Sequence, residues 1–382
     1  MRQFFFCVLI LTSLLSCKKQ TSASATHAPP LQNNNEALKL KYANGFAVNK
    51  YDDYTLLSVS QPWPKAQKVF IYAIAKNKTK IPDSVTYDAF VPRSLNRLIV
   101  TSTTHIPALE SLKQLDKLIA FPNLNYISSH TVREKIKRGE VLEVGNKNQL
   151  NTELVLASQP DAVVASAINA NNKSYSTLER NGIPVIYNGD WVEETPLGKA
   201  EWIKFFGVLL NQEQQADSIF NRIESNYLNA KKIAKKALSK PLVISGSLYK
   251  DVWYAPAGDS WQAQLIQDAN ANYVYKKTTG NGSLSLALEE VLAKAQEADI
   301  WISPGSFTSY NALIESNQHY SQFSAYQNKE VYSIALTTGE TGGVLFYELG
   351  PNRPDLILKD LIKIFHPNLV DYDLTFFKPL NP

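Results

Sequence analysis

Hydrophobic and polar residues change rhythm three times along this chain. From residue 36 to about 90, short runs of strand formers (Phe46-Ala47-Val48, Tyr54 to Val59, Val69 to Ile74) are separated by the turn signals Asn49 to Asp53, Pro62-Trp63-Pro64 and Lys76-Asn77-Lys78. That alternation predicts a small antiparallel meander with one face buried. The rhythm then becomes strand, helix, strand: apolar strands at 97–100, 117–120, 161–165 and 184–187 flank helical stretches at 107–115, 152–157 and 174–180. Asn151 and Thr152 can cap one helix start, and Asn181-Gly182 stops another. Short, wholly apolar strands between helices predict a parallel sheet covered on both faces.

A helical tract follows. Trp202, Phe205, Phe206, Leu209 and Leu210 share one face, and Ile219, Phe220, Ile223, Tyr227, Ala230, Ile233, Ala234 and Ala237 continue the helical period, with a break at Asn211 to Glu213 and a stop at Pro241. The second of these helices is expected to run roughly 25 residues, or about 40 Å. Beyond Pro241 the alternation resumes, with strands at 242–245, 273–275, 299–302 and 330–334 and helices at 260–269, 286–295 and 353–365. The predicted fold class is α/β: two Rossmann-like α/β lobes joined by one long rigid helix, with an extra N-terminal β-rich segment. The expected boundaries are 36–195 for the first lobe with its β-rich extension, 196–240 for the helical linker and 241–382 for the second lobe.

The N-terminus follows a different pattern. Arg2 precedes an apolar run from Phe4 to Leu15, too short to span a bilayer, that ends in Leu14-Leu15-Ser16-Cys17. This resembles a bacterial lipoprotein signal: 1–17 is read as the signal peptide and Cys17 as the lipidated residue, holding the protein to a bacterial membrane on its outer, periplasmic side. Lys18 and Lys19 can lie against anionic headgroups. Residues 18–35, rich in Ser, Ala, Thr, Pro and Asn, read as a flexible tether. The two cysteines, Cys7 and Cys17, both fall in this region, so the folded part is expected to hold neither a disulfide nor a thiolate metal site. A net charge of +4 over 382 residues gives no argument for nucleic acid.

Several motifs, in their order, resemble the family of periplasmic binding proteins of importers for cobalamin, haem and ferric siderophores, whose lobes are joined by a single helix. Leu98 to Ser102 with Thr103 to Glu110 is similar to the family's first strand and helix entry. Ala157-Ser158-Gln159-Pro160-Asp161-Ala162-Val163-Val164 resembles its helix, Pro-Asp, strand signature, and Asn181 to Val185 its fourth strand entry. Ala257-Gly258 with Gln264 to Ala269 resembles the first helix of the second lobe, and Ile364 to Pro367 the closing helix. The resemblance runs from about Arg97 to Asn368; the β-rich opening is longer than the family's. It implies a substrate-binding protein that delivers a metal chelate to an ABC permease and its ATPase, acts as a monomer, and needs no resident cofactor. It also implies an acidic permease contact on each lobe. Glu110 occupies the first position, but Gln267 stands at the second with Asp268 beside it, which puts symmetric docking in doubt.

In such a protein the cleft lies at the carboxyl ends of the strands. The strand-end loops there nominate Thr104, His105, Tyr126, Asn169, Trp191, Trp253, Tyr254, Phe307 and Phe346 as ligand contacts. Aromatic faces mixed with neutral polar groups suit a bulky, weakly charged chelate better than a trianion, which would want an arginine cluster. Core packing is the commoner fate of a Trp or Tyr, and structural hydrogen bonding that of a lone His. No nucleophile elbow, Walker loop, His-Glu-x-x-His or Gly-x-Gly-x-x-Gly pattern is present, and the five histidines show no metal spacing, so no enzyme is expected. A surface interaction lipoprotein without a transporter is the alternative. The Gly-rich stretch Thr338 to Gly343 reads as a mobile loop.

Overall fold

The computed structural model describes residues 36–146 and 149–382; the expected signal peptide, Cys17 and the 18–35 tether lie outside them. The opening segment forms a five-stranded sheet in sequence order, Glu36–Ala37, Phe46–Lys50, Tyr54–Val59, Phe70–Ala75 and Ala89–Pro92. The first three pairings are antiparallel and the last is parallel. Register places Val48 opposite Leu57 and Leu57 opposite Tyr72, a buried row that joins the core of the first lobe. Burial is not one-sided, however. The connection through Ile81, Val85 and Tyr87 folds over the other face and buries Tyr54, Ala73 and Ala75 in a small second cluster.

The first lobe's parallel sheet has the order Val185–Tyr187, Ala162–Ala165, Leu98–Val100, Leu118–Phe121, Leu142–Glu143. Ala162–Ala165 and Leu98–Val100 at its centre, and Val185–Tyr187 at its edge, are wholly buried, as their uninterrupted apolar runs require. The second lobe repeats the plan with Asn272–Tyr273, Leu242–Ser245, Ile300–Ile302 and Val331–Ser333 in parallel, closed at one edge by antiparallel Lys378–Pro379. A separate antiparallel sheet, Ser247–Tyr249, Val252–Pro256 and Ser283–Leu286, replaces the start of the helix expected from 286; that helix is Leu288–Ala295.

Two short helices, Pro196–Glu201 and Ile203–Leu209, lead into a third, Glu213–Ala234, whose 22 residues span about 33 Å. Its first half places Ala216, Ile219, Phe220 and Ile223 in the first lobe's core. Its second half places Tyr227, Ala230 and Ala234 in the second lobe's core. One continuous apolar stripe therefore serves both lobes.

Buried acids tie the outer segments down. Glu201, fully buried, accepts the backbone N–H groups of Lys41 (3.0 Å), Tyr42 (2.7 Å) and Ala43 (2.9 Å) and pairs with Lys204 at 3.1 Å. Glu193 accepts from Asn44 and Gly45 N–H at 2.8 Å each and from the Trp202 indole at 3.0 Å. Asp360 does the same at the other end, accepting the Thr375, Phe376 and Phe377 amides and the Tyr372 hydroxyl.

Candidate functional site

At the carboxyl ends of the first lobe's strands lies an open cavity of about 850 Å³. Ser102 and Thr103 reach it after the Leu98–Val100 strand, Asn123 and Tyr126 after Leu118–Phe121, and Ser166 to Asn169 with Asn171 and Asn172 after Ala162–Ala165. Its floor is a polar knot. The Tyr175 hydroxyl donates to the Ser166 carbonyl (3.0 Å) and lies 3.1 Å from Thr101 Oγ1, which accepts the Ser166 amide at 2.9 Å. Asn172 caps the Lys173–Arg180 helix at the rim by accepting the Tyr175 amide. Tyr126 is 51% exposed and Ile168 is 79% exposed, so two large apolar side chains stand open to an incoming molecule. Among the described lining residues, Lys173 is the one that carries charge. A second cavity of about 630 Å³ lies between the opening sheet and the helix Lys173–Arg180, but Gly182, Ile183 and Pro184 place it at the entry end of the sheet, away from the strand ends.

The structure divides the nominated residues into two groups. Tyr126 and Asn169 line the cavity. Thr104 is half-buried beside it: its hydroxyl is 2.8 Å from that of Ser102, and its carbonyl accepts from Asn352 of the second lobe. Trp191 is an exposed aromatic after the Val185–Tyr187 strand and Tyr254 an exposed one within Val252–Pro256, neither lining the cavity, and Phe307 is half-buried against Tyr320. Three expectations need correction. Trp253 is fully buried, stacked on Trp301 (centroids 5.4 Å apart), with its indole N–H donated to the Ser245 carbonyl, because its strand turns that face toward the second lobe's core. Phe346 is likewise buried, against Trp261, Phe376 and Phe377. His105 has no exposed surface; its ring packs on Phe206, and burial lowers its pKa to about 4 with Asp190 opposing, so it is neutral at pH 7. Neither ring nitrogen has a hydrogen-bond partner among the described residues.

Glu110 is occupied on both oxygens, accepting from the Ser129 hydroxyl (3.1 Å) and the Thr131 hydroxyl (2.7 Å). Gln267 is exposed. Asp268 does not stand free beside it: Tyr227 and Lys231 of the crossing helix hold it at 2.7 and 2.5 Å. The Gly-rich stretch is not a loose loop either. Gly339 N–H donates to the Gly343 carbonyl, a Thr338–Val344 bridge closes the base, and the resulting finger rests on the first lobe. A Cβ at Gly339 would come within 2.6 Å of Ser128 Cα, and one at Gly343 within 2.5 Å of the Tyr126 carbonyl, which is why glycine stands at both contacts. Spacing along the chain carried no signal for this contact, nor for the Tyr175 floor. Ile168, an apolar residue inside an Asn-rich loop, was a readable sign of the cavity.

A sequence profile of the periplasmic binding protein family matches residues 98–335. The chain belongs to that family. It is 24% identical to an uncharacterized lipoprotein of Methanocaldococcus jannaschii over 94% of this chain and 91% of that one, so the opening sheet is part of what the two share. Among solved structures, a periplasmic haem-binding protein from Pseudomonas aeruginosa is similar with TM-score 0.59 and 18% identity, covering 75% of this chain and 99% of that one. A protein of an ABC-type Fe3+-hydroxamate transport system from Saccharomonospora viridis gives TM-score 0.53 and 15% identity, covering 72% and 94%. At these identities the two structures establish the fold. Among the described residues, no group of three or more His, Cys, Asp or Glu could hold a metal ion, and no helix is long and apolar enough to cross a membrane.

Proposed function

We propose that this periplasmic binding protein captures a bulky, weakly charged metal chelate of the ferric siderophore, haem or cobalamin type and hands it to an ABC permease, while anchored outside the cytoplasm by a lipid on Cys17. The observation that carries this is the composition of the 850 Å³ cavity: Ser, Thr and Asn hydroxyls and amides around two open apolar side chains, with Lys173 as the charged group. That volume falls in the range that encloses a drug-sized molecule. The described lining offers hydrogen bonds but only Lys173 as an ion-pairing partner, so a polyanionic ligand would lose most of its hydration shell uncompensated. The haem and hydroxamate proteins of similar fold, and the lipoprotein relative, point the same way.

Native mass spectrometry of protein purified from its source cell tests the ligand class. A one-to-one adduct with the isotope pattern of a metal chelate is expected, and Tyr126→Ala should weaken its retention by ~1–2 kcal/mol, the scale of a partly exposed aromatic contact. A copurifying sugar, peptide or polyanion would overturn the assignment.

A further inference from the structure

The finger and the helix that follows it make a second, acid-centred contact between the lobes. Glu348, on helix Leu345–Leu349 of the second lobe, is 2% exposed. Its two carboxylate oxygens accept the backbone N–H groups of Ser128 (2.5 Å) and Ser129 (2.9 Å) in the first lobe. Those amides open the eight-residue helix His130–Lys137, so the carboxylate caps, from the opposite lobe, a helix end that also carries its own Ser129 cap. Around it Ser128 Oγ donates to the Gly343 carbonyl (2.9 Å), Thr341 Oγ1 donates to the Asn125 carbonyl (2.8 Å), and Lys137 pairs with Glu340 at 3.0 Å. The first-lobe segment that receives these bonds includes Tyr126, which lines the cavity.

We propose that Glu348 latches the two lobes together beside the ligand cavity, and that this latch loosens as its buried carboxyl group ionises. The geometry explains the direction. Closing the lobes removes the carboxylate from water and brings it near Glu110, whose own carboxylate holds the Ser129 hydroxyl. The other charged groups on the packed elements do not neutralise it. Arg353 is paired with Asp355, Lys137 with Glu134 and Glu340, Arg133 donates to the Leu124 carbonyl, and His130 is exposed. Burial therefore raises the Glu348 pKa from 4.5 to about 7, with Glu110 adding to the rise and the two serine amides opposing it. The closed latch binds a proton that the open carboxylate releases between those values. By linkage, closure is fully favoured on the acid side, weakens as pH rises from about 4.5, and loses this contribution above about 7. The latch gives the proposed binding function its regulation, and it rests on that function only for its purpose.

Pulsed electron–electron distance measurements test it on the full ligand-free chain with Cys7→Ser and Cys17→Ser. Spin labels would be placed at Glu153→Cys and Glu297→Cys, exposed positions in the first and second lobes. Between pH 5 and pH 8 the ratio of long-distance to short-distance populations is expected to rise at least about tenfold. Glu348→Gln should give one distance ratio at both pH values, because its amide binds no proton, although it keeps an oxygen for only one of the two N–H donors. Glu348→Ala should favour the long distance at both. Wild-type distributions that superimpose at the two pH values, or a Glu348→Gln protein that keeps the wild-type pH response, would overturn the latch. Because no ligand is present, either result leaves the chelate assignment standing, and a failed chelate assignment leaves the latch to be judged on these distances.

Discussion

Replacing Glu201 is the sharpest test of how the opening sheet is held to the first lobe. Its carboxylate is fully buried and receives three consecutive backbone N–H groups, from Lys41, Tyr42 and Ala43, plus the Lys204 ammonium, itself 6% exposed. Glu201→Ala removes the shared acceptor of all of these at once. Each buried amide left without an acceptor costs ~1–3 kcal/mol, and removing one partner of a buried ion pair costs ~3–5 kcal/mol. The groups share one acceptor, so the costs overlap rather than add. Lys204 also keeps Asp217 at 3.1 Å. The expected loss is ~3–5 kcal/mol for Glu201→Ala and ~1.5–3 kcal/mol for Glu201→Gln, which retains one oxygen but turns an NH2 toward the N–H donors. Urea unfolding at constant m-value measures the change. Native-state hydrogen exchange should show the amides of residues 41–43 losing protection before the parallel sheets do. A loss below ~1 kcal/mol for the alanine variant, with 41–43 still protected, would refute the anchoring argument.

Three other outcomes follow from the same structure. Trp253→Ala should cost ~3–5 kcal/mol of stability, because it empties a site packed by Trp301, Tyr320 and Phe323, and should leave the affinity of the folded fraction for the copurifying chelate unchanged; lowered affinity at full stability would return Trp253 to the ligand site. His105 has a folded pKa near 4 against 6.5 unfolded, so the unfolded chain binds the extra proton and stability is lost as pH falls through that window; relative to His105→Gln, the wild type should lose on the order of 3 kcal/mol between pH 6.5 and 4, and parallel urea midpoints over that range would contradict it. Asp360→Asn should destabilise by ~2–4 kcal/mol and expose the amides of residues 375–377 to exchange, whereas unchanged protection there would mean that the closing strand holds itself.

What the chain discloses by itself is what local periodicity can encode. The apolar strands at Leu98–Val100 and Ala162–Ala165, the apolar run 242–244 of Leu242–Ser245 and the Glu213–Ala234 stripe were all readable, because burial on both faces or along one stripe forces that pattern. The closing strand Lys378–Pro379 was not, since two residues carry no period and its place depends on Asp360, 18 residues earlier. The site divides in the same way. Strand-end loops pointed to Tyr126 and Asn169, which line the candidate cavity, because a cavity of this kind opens where parallel strands end. Trp253 failed because an aromatic on a strand can face either the opening or the core, and only register decides which; Phe346 failed because its helix, Leu345–Leu349, turns it onto Trp261, Phe376 and Phe377. Glu348 was invisible, because its partners lie 219 and 220 residues away.

The permease contact is the last consequence to follow from these positions. On the proposed function, an arginine of the permease would meet Glu110 on the first lobe. At the matching place on the second lobe, Gln267 offers a neutral amide, and Asp268 is already held by Tyr227 and Lys231. A carboxylate with two close partners has little left for a third, so the second lobe contributes weakly and docking is asymmetric. Glu110 also has partners, but both are hydroxyls, which an arginine outcompetes through charge-assisted bonds worth ~1.5–3 kcal/mol when partly desolvated. Glu110→Arg is therefore expected to abolish uptake in cells, Gln267→Ala to leave it near normal, and Asp268→Ala to act mainly through stability by freeing Tyr227 and Lys231. Uptake of the copurifying chelate, measured beside urea midpoints for the three variants, separates docking from folding. Normal uptake by Glu110→Arg would remove the docking assignment. Loss of uptake would also bear on the latch, because the hydroxyl that an incoming arginine displaces from Glu110 belongs to Ser129, whose amide Glu348 holds, so docking and lobe closure act on one residue.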